Sequence, residues 1–144
     1  MISMRVFLDA NVLFSASHPD SVLAQLIAVA IRHADVLTSD VACGEARRNL
    51  SLKRPAWATS FELLVEQLEI VPTAVFQLPV TLSQKDIPLL CAAIRSESHY
   101  FVTGDIKDFG HLFDMIVHGT TVITPLRLTQ ILRDKSHRED QENA

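Results

Sequence analysis

Arg5-Val6-Phe7-Leu8-Asp9-Ala10-Asn11 is a short apolar run that ends in a carboxylate and an amide. Val and Phe favour a strand, and an apolar run this short indicates a strand that is buried in a sheet. A buried carboxylate is costly unless it is hydrogen-bonded, paired with a charge or bound to a cation. The pattern therefore predicts a buried strand over residues 5–8, with Asp9 held at its carboxyl end.

A second apolar strand with the same kind of ending lies far downstream. The segment Tyr100–Thr103 is followed by Gly104-Asp105-Ile106-Lys107-Asp108. Open α/β sheets bind ligands outside the carboxyl ends of their strands, so two endings that each carry acid predict one shared site. Each carboxylate taken alone also fits a turn or a helix cap, and that alternative stays open at this point.

Strand and helix patterns alternate along the chain, which favours an α/β domain with a mostly parallel sheet. Strands are expected at about 5–8, 35–38, 69–72, 100–103 and 121–124, and helices at about 22–33, 40–50, 55–68, 87–95, 110–117 and 125–133. Ser39 or Thr38 is expected to cap the helix at about 40–50. The length of 144 residues suits one domain with a real core. We therefore predict a single domain over residues 1–134 and a disordered tail over residues 135–144.

Composition excludes several classes of protein. Hydrophobic residues make up 48% of the chain, but the longest apolar stretch, Val22–Ile31, is broken by Gln25 and is too short to cross a bilayer. A cleavable leader pattern is also missing, so we predict a cytoplasmic protein without membrane contact. Cys43 and Cys91 are too few and too isolated for a disulfide framework or a zinc site, and we expect both in the core.

The net charge of −4 argues at first against a nucleic-acid partner. That objection weakens if five acids bind metal, because the remaining charge is then +1. These five acids are Asp9, Glu45, Asp86, Asp105 and Asp108. Basic residues cluster at 47–48 and 53–54, although a solvated helix face explains that cluster equally well.

Glu45 and Asp86 would not be selected as site residues from spacing alone. Glu45 lies in the middle of a predicted helix, where it could be exposed or paired with Arg47 or Arg48. Asp86 follows Ser83 at the spacing of a capping box and fits the first turn of a helix. Both residues acquire a functional interpretation only from a wider resemblance.

Several segments, in this order, resemble the PIN-domain nucleases. They are Phe7-Leu8-Asp9-Ala10-Asn11, then Glu45 on a helix, then Asp86-Ile87-Pro88-Leu89-Leu90-Cys91-Ala92-Ala93-Ile94, then Phe101-Val102-Thr103-Gly104-Asp105-Ile106-Lys107-Asp108-Phe109, and finally Ile123-Thr124-Pro125. The resemblance covers residues 4–133. It implies a three-layer α/β/α sandwich around a mostly parallel sheet, and metal-dependent ribonuclease activity, as in the toxins of many bacterial toxin–antitoxin pairs.

The resemblance also implies roles for individual residues. It implies catalytic roles for Asp9, Glu45, Asp86 and Asp105, binding of Mg²⁺ or Mn²⁺ by Asp9, Asp86, Asp105 and Asp108, and supporting hydrogen bonds from Asn11 and Thr103. The implied partners are RNA, a cognate antitoxin protein and a second copy of the chain in a homodimer. The sequence departs from the family in one place, because two residues, Ile106 and Lys107, separate the last two acids where many members have one.

Two other functions remain open on the sequence. The chain could be a catalytically weak PIN-like module that binds RNA or a protein. The additional residue between Asp105 and Asp108, relative to many family members, is consistent with this alternative. It could also be a phosphatase with Asp9 as its nucleophile. Such phosphatases require an acid at the position of Asn11, and this chain has an amide there.

Overall fold

A single mixed sheet lies at the centre of the computed structural model, which describes residues 3–143. Its strands are β1 (Arg5–Leu8), β2 (Asp35–Ser39), β3 (Glu69–Val71), β4 (Tyr100–Val102), β5 (Ile116–Val117) and β6 (Thr120–Ile123). The spatial order is β3-β2-β1-β4-β6-β5, and all neighbours pair in parallel except β5 and β6. The order reverses between β1 and β4, which is where open α/β sheets bind ligands.

Helices flank this sheet and complete a three-layer α/β/α arrangement. They are α1 (Ala10–Ala16), α2 (Val22–His33), α3 (Asp40–Lys53), α4 (Ala58–Val65), α5 (Ile87–Arg95), α6 (Ile106–Phe109) and α7 (Pro125–Glu142), with 3₁₀ turns at Pro55–Trp57 and Gly110–Leu112. The predicted fold class is therefore confirmed. No helix within residues 3–143 has both the length and the apolar character that crossing a membrane requires.

The two central strands form the middle of the core. Phe7 on β1 and Phe101 on β4 are fully buried, and their rings stack with centroids 5.5 Å apart. Burying an aromatic side chain of this size contributes roughly 1.5–3 kcal/mol, so this pair is a large local source of stability. Cys43 and Cys91 are free and buried, as predicted.

The helix predicted over residues 110–117 is wrong. Helical structure ends at Leu112, and Ile116–Val117 forms a short edge strand that pairs antiparallel with β6. The two strands are joined by His118 and Gly119, whose φ angles of 47° and 86° are both positive, as a two-residue hairpin turn requires. A short apolar run does not distinguish strand from helix by its periodicity, which is why the sequence pattern misled here.

The predicted end of the last helix, at about residue 133, is too early. Helix α7 continues to Glu142, whereas the sequence predicted a disordered tail from residue 135. The extension packs on α2, because Lys135 Nζ donates a hydrogen bond to the His33 carbonyl over 2.6 Å. Glu139 Oε2 also lies 3.7 Å from His33 Nδ1. These contacts join segments far apart in sequence, so local composition did not reveal them.

Helix α3 begins with the cap that its sequence predicts. The Ser39 hydroxyl accepts a hydrogen bond from the Ala42 amide over 3.1 Å, which satisfies one of the unpaired amides of the first turn. Thr38, the other candidate, instead donates to the Leu8 carbonyl over 2.7 Å. The cap at Ser39 therefore sets where α3 starts and which of its side chains face the sheet edge.

We expect Ser39→Ala to lower the free energy of unfolding by about 1 kcal/mol, because the amide of Ala42 loses its partner. Exposed Ser51 on the same helix is the matched control, and Ser51→Ala should change stability by less than about 0.5 kcal/mol. Urea unfolding of both variants measures the difference. Equal losses in the two variants would show that Ser39 does not act as a cap.

Candidate functional site

The carboxylate of Asp9 lies at the carboxyl end of β1 and is only 3% exposed. Its Oδ1 accepts a hydrogen bond from the Ala10 amide at 2.8 Å, and its Oδ2 accepts from Asn11 Nδ2 at 2.7 Å and from Thr103 Oγ1 at 2.8 Å. Asp9 is also the N-cap of α1. The helix-cap interpretation and the functional interpretation of this residue are therefore compatible.

Asn11 and Thr103 join the ends of β1 and β4 around that carboxylate. Asn11 Nδ2 donates to Thr103 Oγ1 at 3.1 Å, and Asn11 Oδ1 accepts from the Gly104 amide at 2.8 Å. Thr103 Oγ1 also accepts from the Asp105 amide at 3.1 Å. The two residues predicted to support the site thus hold Asp9 and the loop that carries Asp105 in one hydrogen-bonded network.

A cleft of about 360 Å³ opens at this edge of the sheet, and the four predicted catalytic acids line it. Asp9 and Asp105 follow the two central strands, Glu45 comes from the middle of α3, and Asp86 immediately precedes α5. Asp108, a predicted metal ligand, does not line the cleft but lies beside it on α6. Its amide donates to Asp105 Oδ1 at 3.0 Å.

Lys85 lies among these acids, although no pattern in the sequence marks it as a site residue. Its Nζ is 3.5 Å from Asp108 Oδ2 and 3.9 Å from Asp86 Oδ1, and the residue lines the cleft. Ser83 is also turned toward the site, since its hydroxyl donates to Asp86 Oδ2 at 2.6 Å. The capping box predicted from Ser83 and Asp86 does not form, because Asp86 is itself the N-cap residue of α5 and its amide donates to the Ser83 carbonyl rather than to the Ser83 hydroxyl.

The acids raise one another's proton affinity. The pKa of Asp9 is raised from 3.8 to about 6, mainly by burial and to a lesser extent by the charges of Asp86 and Glu45, despite the hydrogen bonds from Thr103 and Ala10. Burial likewise raises the pKa of Asp86, against the lowering effect of the Ser83 hydrogen bond and the Lys85 charge. The cleft is therefore a place where negative charge is incompletely compensated.

Asp108 titrates in the opposite direction. Burial acts to raise its pKa, but hydrogen bonding with the carboxyl groups of Asp86 and Asp105 and the nearby charge of Lys85 outweigh burial and hold its pKa below the ordinary value. The charge of Asp86, in turn, raises the pKa of Lys85 above its ordinary value. The ammonium and the Asp108 carboxylate therefore stabilise each other in their charged forms.

The donor set suits a hard cation in kind, since every candidate ligand offers carboxylate or amide oxygen. Within residues 3–143, however, no three His, Cys, Asp or Glu side chains are arranged as a ready metal site. The ammonium of Lys85 lies next to Asp86 and Asp108, where a cation would be attracted. A metal ion would have to compete with Lys85 and draw the carboxylates together.

Comparison with protein-family models gives no match, and comparison with curated proteins gives none either. Solved structures do match. The chain is similar to a chain in VapBC2 from Rickettsia felis bound to a DNA fragment from its promoter, with 13% identity, a TM-score of 0.63 and coverage of 84% of this chain and 98% of that one.

Two further structures show the same likeness. A chain in FitAB bound to an IR36 DNA fragment gives 19% identity, a TM-score of 0.55 and coverage of 83% of this chain and 94% of that one. A chain in VapBC-1 from nontypeable Haemophilus influenzae gives 12% identity, a TM-score of 0.53 and coverage of 85% and 99%. At these identities the likeness establishes the fold alone.

We expect Asp9→Asn to become more stable relative to the parent as the pH rises from 4 to 7 without metal. A folded-state pKa of about 6, above the ordinary 3.8, means that the folded protein binds more protons than the unfolded chain within this window. Ionised Asp9 therefore destabilises the parent at neutral pH, by a maximum of about 3 kcal/mol, and this cost disappears below the ordinary pKa.

Urea unfolding in EDTA at several pH values measures that difference. Exposed Asp134, which lies on α7 away from the cleft, provides the control Asp134→Asn. The hydrogen bonds lost with the carboxylate lower the stability of Asp9→Asn at every pH, so the pH dependence is the informative quantity. A difference between Asp9→Asn and the parent that does not change with pH would contradict the raised pKa.

Proposed function

We propose that this protein is a metal-dependent endoribonuclease that hydrolyses phosphodiester bonds in RNA. The observation that carries the proposal is the convergence of four acids on one cleft at the point where the strand order reverses. These acids come from separate elements of the fold, and Asn11 and Thr103 hold the central one, Asp9, in a single orientation. Structural or capping roles alone do not require such convergence.

Each residue has a defined task in this proposal. Asp9, Asp86 and Asp105 would hold Mg²⁺ or Mn²⁺, with Asp108 beside them. A bound ion of this kind supplies an activated water and stabilises charge on the phosphoryl oxygens. Glu45 is partly exposed on the cleft wall, so its carboxylate is placed to accept a proton from the attacking water.

Lys85 suits the negative charge of the substrate. Its ammonium is largely exposed at the cleft, where it can donate to phosphate oxygens once it leaves Asp86 and Asp108. The same position allows it to balance the acids while the cleft is empty of substrate. Lys107, one of the two residues that separate Asp105 from Asp108, is exposed on α6.

A toxin role is a further part of the proposal. The similar solved structures are toxin–antitoxin complexes, which supports a cognate antitoxin as the protein partner of this chain. The homodimer rests on the sequence resemblance and the cytoplasmic location on the composition of the chain, and both belong to the same proposal. An antitoxin gene beside the gene for this chain would support it.

The weak binding module is the second candidate. Two observations favour it. Within residues 3–143 no three acids are already arranged around one point, and the ammonium of Lys85 lies among the carboxylates. The phosphatase is less well supported, because both oxygens of Asp9 accept hydrogen bonds, from Ala10, Asn11 and Thr103, and such contacts weaken a nucleophile.

We expect the protein to cleave a mixed pool of RNA with Mn²⁺ and not with EDTA. Asp9→Asn should lower the cleavage rate by roughly 10²–10⁴-fold, since an amide is a poor ligand for hard cations. Asp105→Ala should cost more activity than Asp108→Ala, because Asp105 lines the cleft and Asp108 does not.

Asp114→Asn is the control for this cleavage assay, because Asp114 is an exposed acid paired with Arg127. It should leave the rate unchanged. Full activity of Asp9→Asn at saturating Mn²⁺ would refute the assignment of Asp9. A larger loss for Asp108→Ala than for Asp105→Ala would make Asp108 a primary ligand.

Mn²⁺ should stabilise the fold, and Lys85→Gln should strengthen that effect. At free metal of about a hundred times the dissociation constant, linkage gives about 2.7 kcal/mol, or a melting shift of roughly 5–10 °C. Removing the ammonium that competes for Asp86 and Asp108 should tighten Mn²⁺ binding about two- to fivefold. Lys107→Gln removes the same charge from the surface of α6 and should change little.

Scanning calorimetry with EDTA and with Mn²⁺ tests this expectation. A variant without the four cleft acids Asp9, Glu45, Asp86 and Asp105 should show no metal effect. If the parent melts at the same temperature in both conditions, no acidic metal site forms, and the weak binding module becomes the better account.

A further inference from the structure

An aromatic stack lies at the far end of α1 from the acids. The indole of Trp57 stacks on the imidazole of His18 with ring centroids 4.7 Å apart and an interplanar angle of 12°. Phe14 meets the same indole edge-on at 5.7 Å, and the guanidinium carbon of Arg54 lies 5.6 Å from its centroid. His18 and Trp57 are each partly exposed, so the stack reaches the surface.

Side chains on one face of α1 and the turn after it lead from the acidic cleft toward this stack. Asn11, Ser15 and His18 share one face of α1 and the turn that follows it, and the first two line the cleft. Glu45 and Asn49 lie one helical turn apart on the neighbouring helix α3 and line the cleft opposite them. The helical part of this path, from Asn11 to Ala16, is about 7.5 Å long, and His18 follows two residues later in the turn.

The charge along this path changes sign. The cleft is acidic, whereas the carboxyl end of α3 carries exposed cations at Arg48, Lys53 and Arg54. Nearby Arg47 is engaged elsewhere, because its Nε donates to Glu62 Oε1 at 2.8 Å. A nucleic-acid strand that enters the cleft is repelled by the acids, and Lys85 is the one cation among the described residues that line it, so contacts beside the cleft would add to the attraction.

Single-stranded nucleic acids are bound by such contacts in other proteins, through cations along the backbone and aromatic rings on which bases stack. Stacking tolerates any base, because every base has a π-face. Arg54 suits this role, since the only hydrogen bond its guanidinium makes among the described residues is to the carbonyl of its neighbour Lys53, at 2.8 Å. It can move aside to admit a base and then pair with a phosphate.

We propose that His18, Trp57 and Arg54 form a base-stacking subsite for single-stranded RNA, one end of a path whose other end is the acidic cleft. The proposal deepens the nuclease function and rests on it. The alternative role for the stack is packing of the 3₁₀ turn on α1. A packing role does not involve the bases of a bound strand, which makes the two roles separable by experiment.

The chain contains one tryptophan, so intrinsic fluorescence reports on Trp57 alone. The test titrates a single-stranded RNA decamer into full-length Asp9→Asn with Mg²⁺, where cleavage is suppressed. We expect saturable quenching of the fluorescence by the decamer and far weaker quenching by an abasic strand of the same length. Equal quenching by both strands would overturn the subsite, because only phosphates would then be recognised.

Variants in the same background give the energetic test, read by anisotropy of labelled RNA. Trp57→Leu should weaken binding about 5- to 150-fold, the range equivalent to 1–3 kcal/mol of stacking, and Trp57→Phe should retain part of the affinity. Phe113→Leu, which removes a partly buried ring that neither lines the cleft nor belongs to the stack, should bind like its parent. Arg54→Gln should reduce the slope of log K against log salt by about 0.7.

The outcomes separate this proposal from the nuclease function. Cleavage of RNA by the wild-type chain, with no quenching and no loss of affinity in Trp57→Phe or Trp57→Leu, overturns the subsite and leaves the nuclease intact. Failure of both cleavage and RNA binding overturns the function and the subsite together. Melting temperatures of all variants show whether a loss of affinity reflects unfolding. If the Trp57 variants are unfolded, His18→Ala, which keeps the fluorescence of Trp57, decides between base stacking and packing.

Discussion

The burial of the Asp9 carboxylate at the junction of β1 and β4 is the constraint on which the rest of the site depends. Three donors reach its oxygens, and hydrogen bonds to a charged group contribute roughly 1.5–3 kcal/mol each. They do not offset the loss of hydration completely, because burial still raises the pKa of Asp9 to about 6. The folded protein therefore retains an electrostatic cost that a proton or a cation would relieve.

The uncompensated charge of the cleft is partly balanced by the groups around Asp86. Asp86 adds a second buried carboxylate to the same cleft, and Lys85 provides a positive charge within the structure itself, shared with Asp108. The ammonium makes the set of acids tolerable without metal, and it also opposes metal binding. The affinity for a divalent ion, if one binds as proposed, would be a balance between the unrelieved cost at Asp9 and the ion pairs of Lys85.

The sequence predicts the parts of this molecule that depend on local patterns. The apolar strands at β1 and β4, the cap at Ser39 and the buried cysteines follow from composition and spacing. Helix α1 was missed because its apolar residues continue the strand pattern before it. The approach of Glu45 and Asp86 to Asp9 depends on strand order, and the position of Lys85 depends on the turn before α5, so neither is encoded in a short segment.

Helix α1 connects the Asp9 carboxylate with the aromatic stack at the surface. Asp9 caps this helix, so the hydrogen bonds that hold the carboxylate also set the direction in which α1 leaves the sheet. Asn11 lies in the first turn of α1 and His18 in the turn directly after the helix, so the direction of α1 governs where both lie relative to the acids. A strand contacting both ends of α1 would meet the cleft and the stack at one defined separation. Asp9, whose burial lowers the stability of the fold, thus also sets where the aromatic stack lies relative to the cleft.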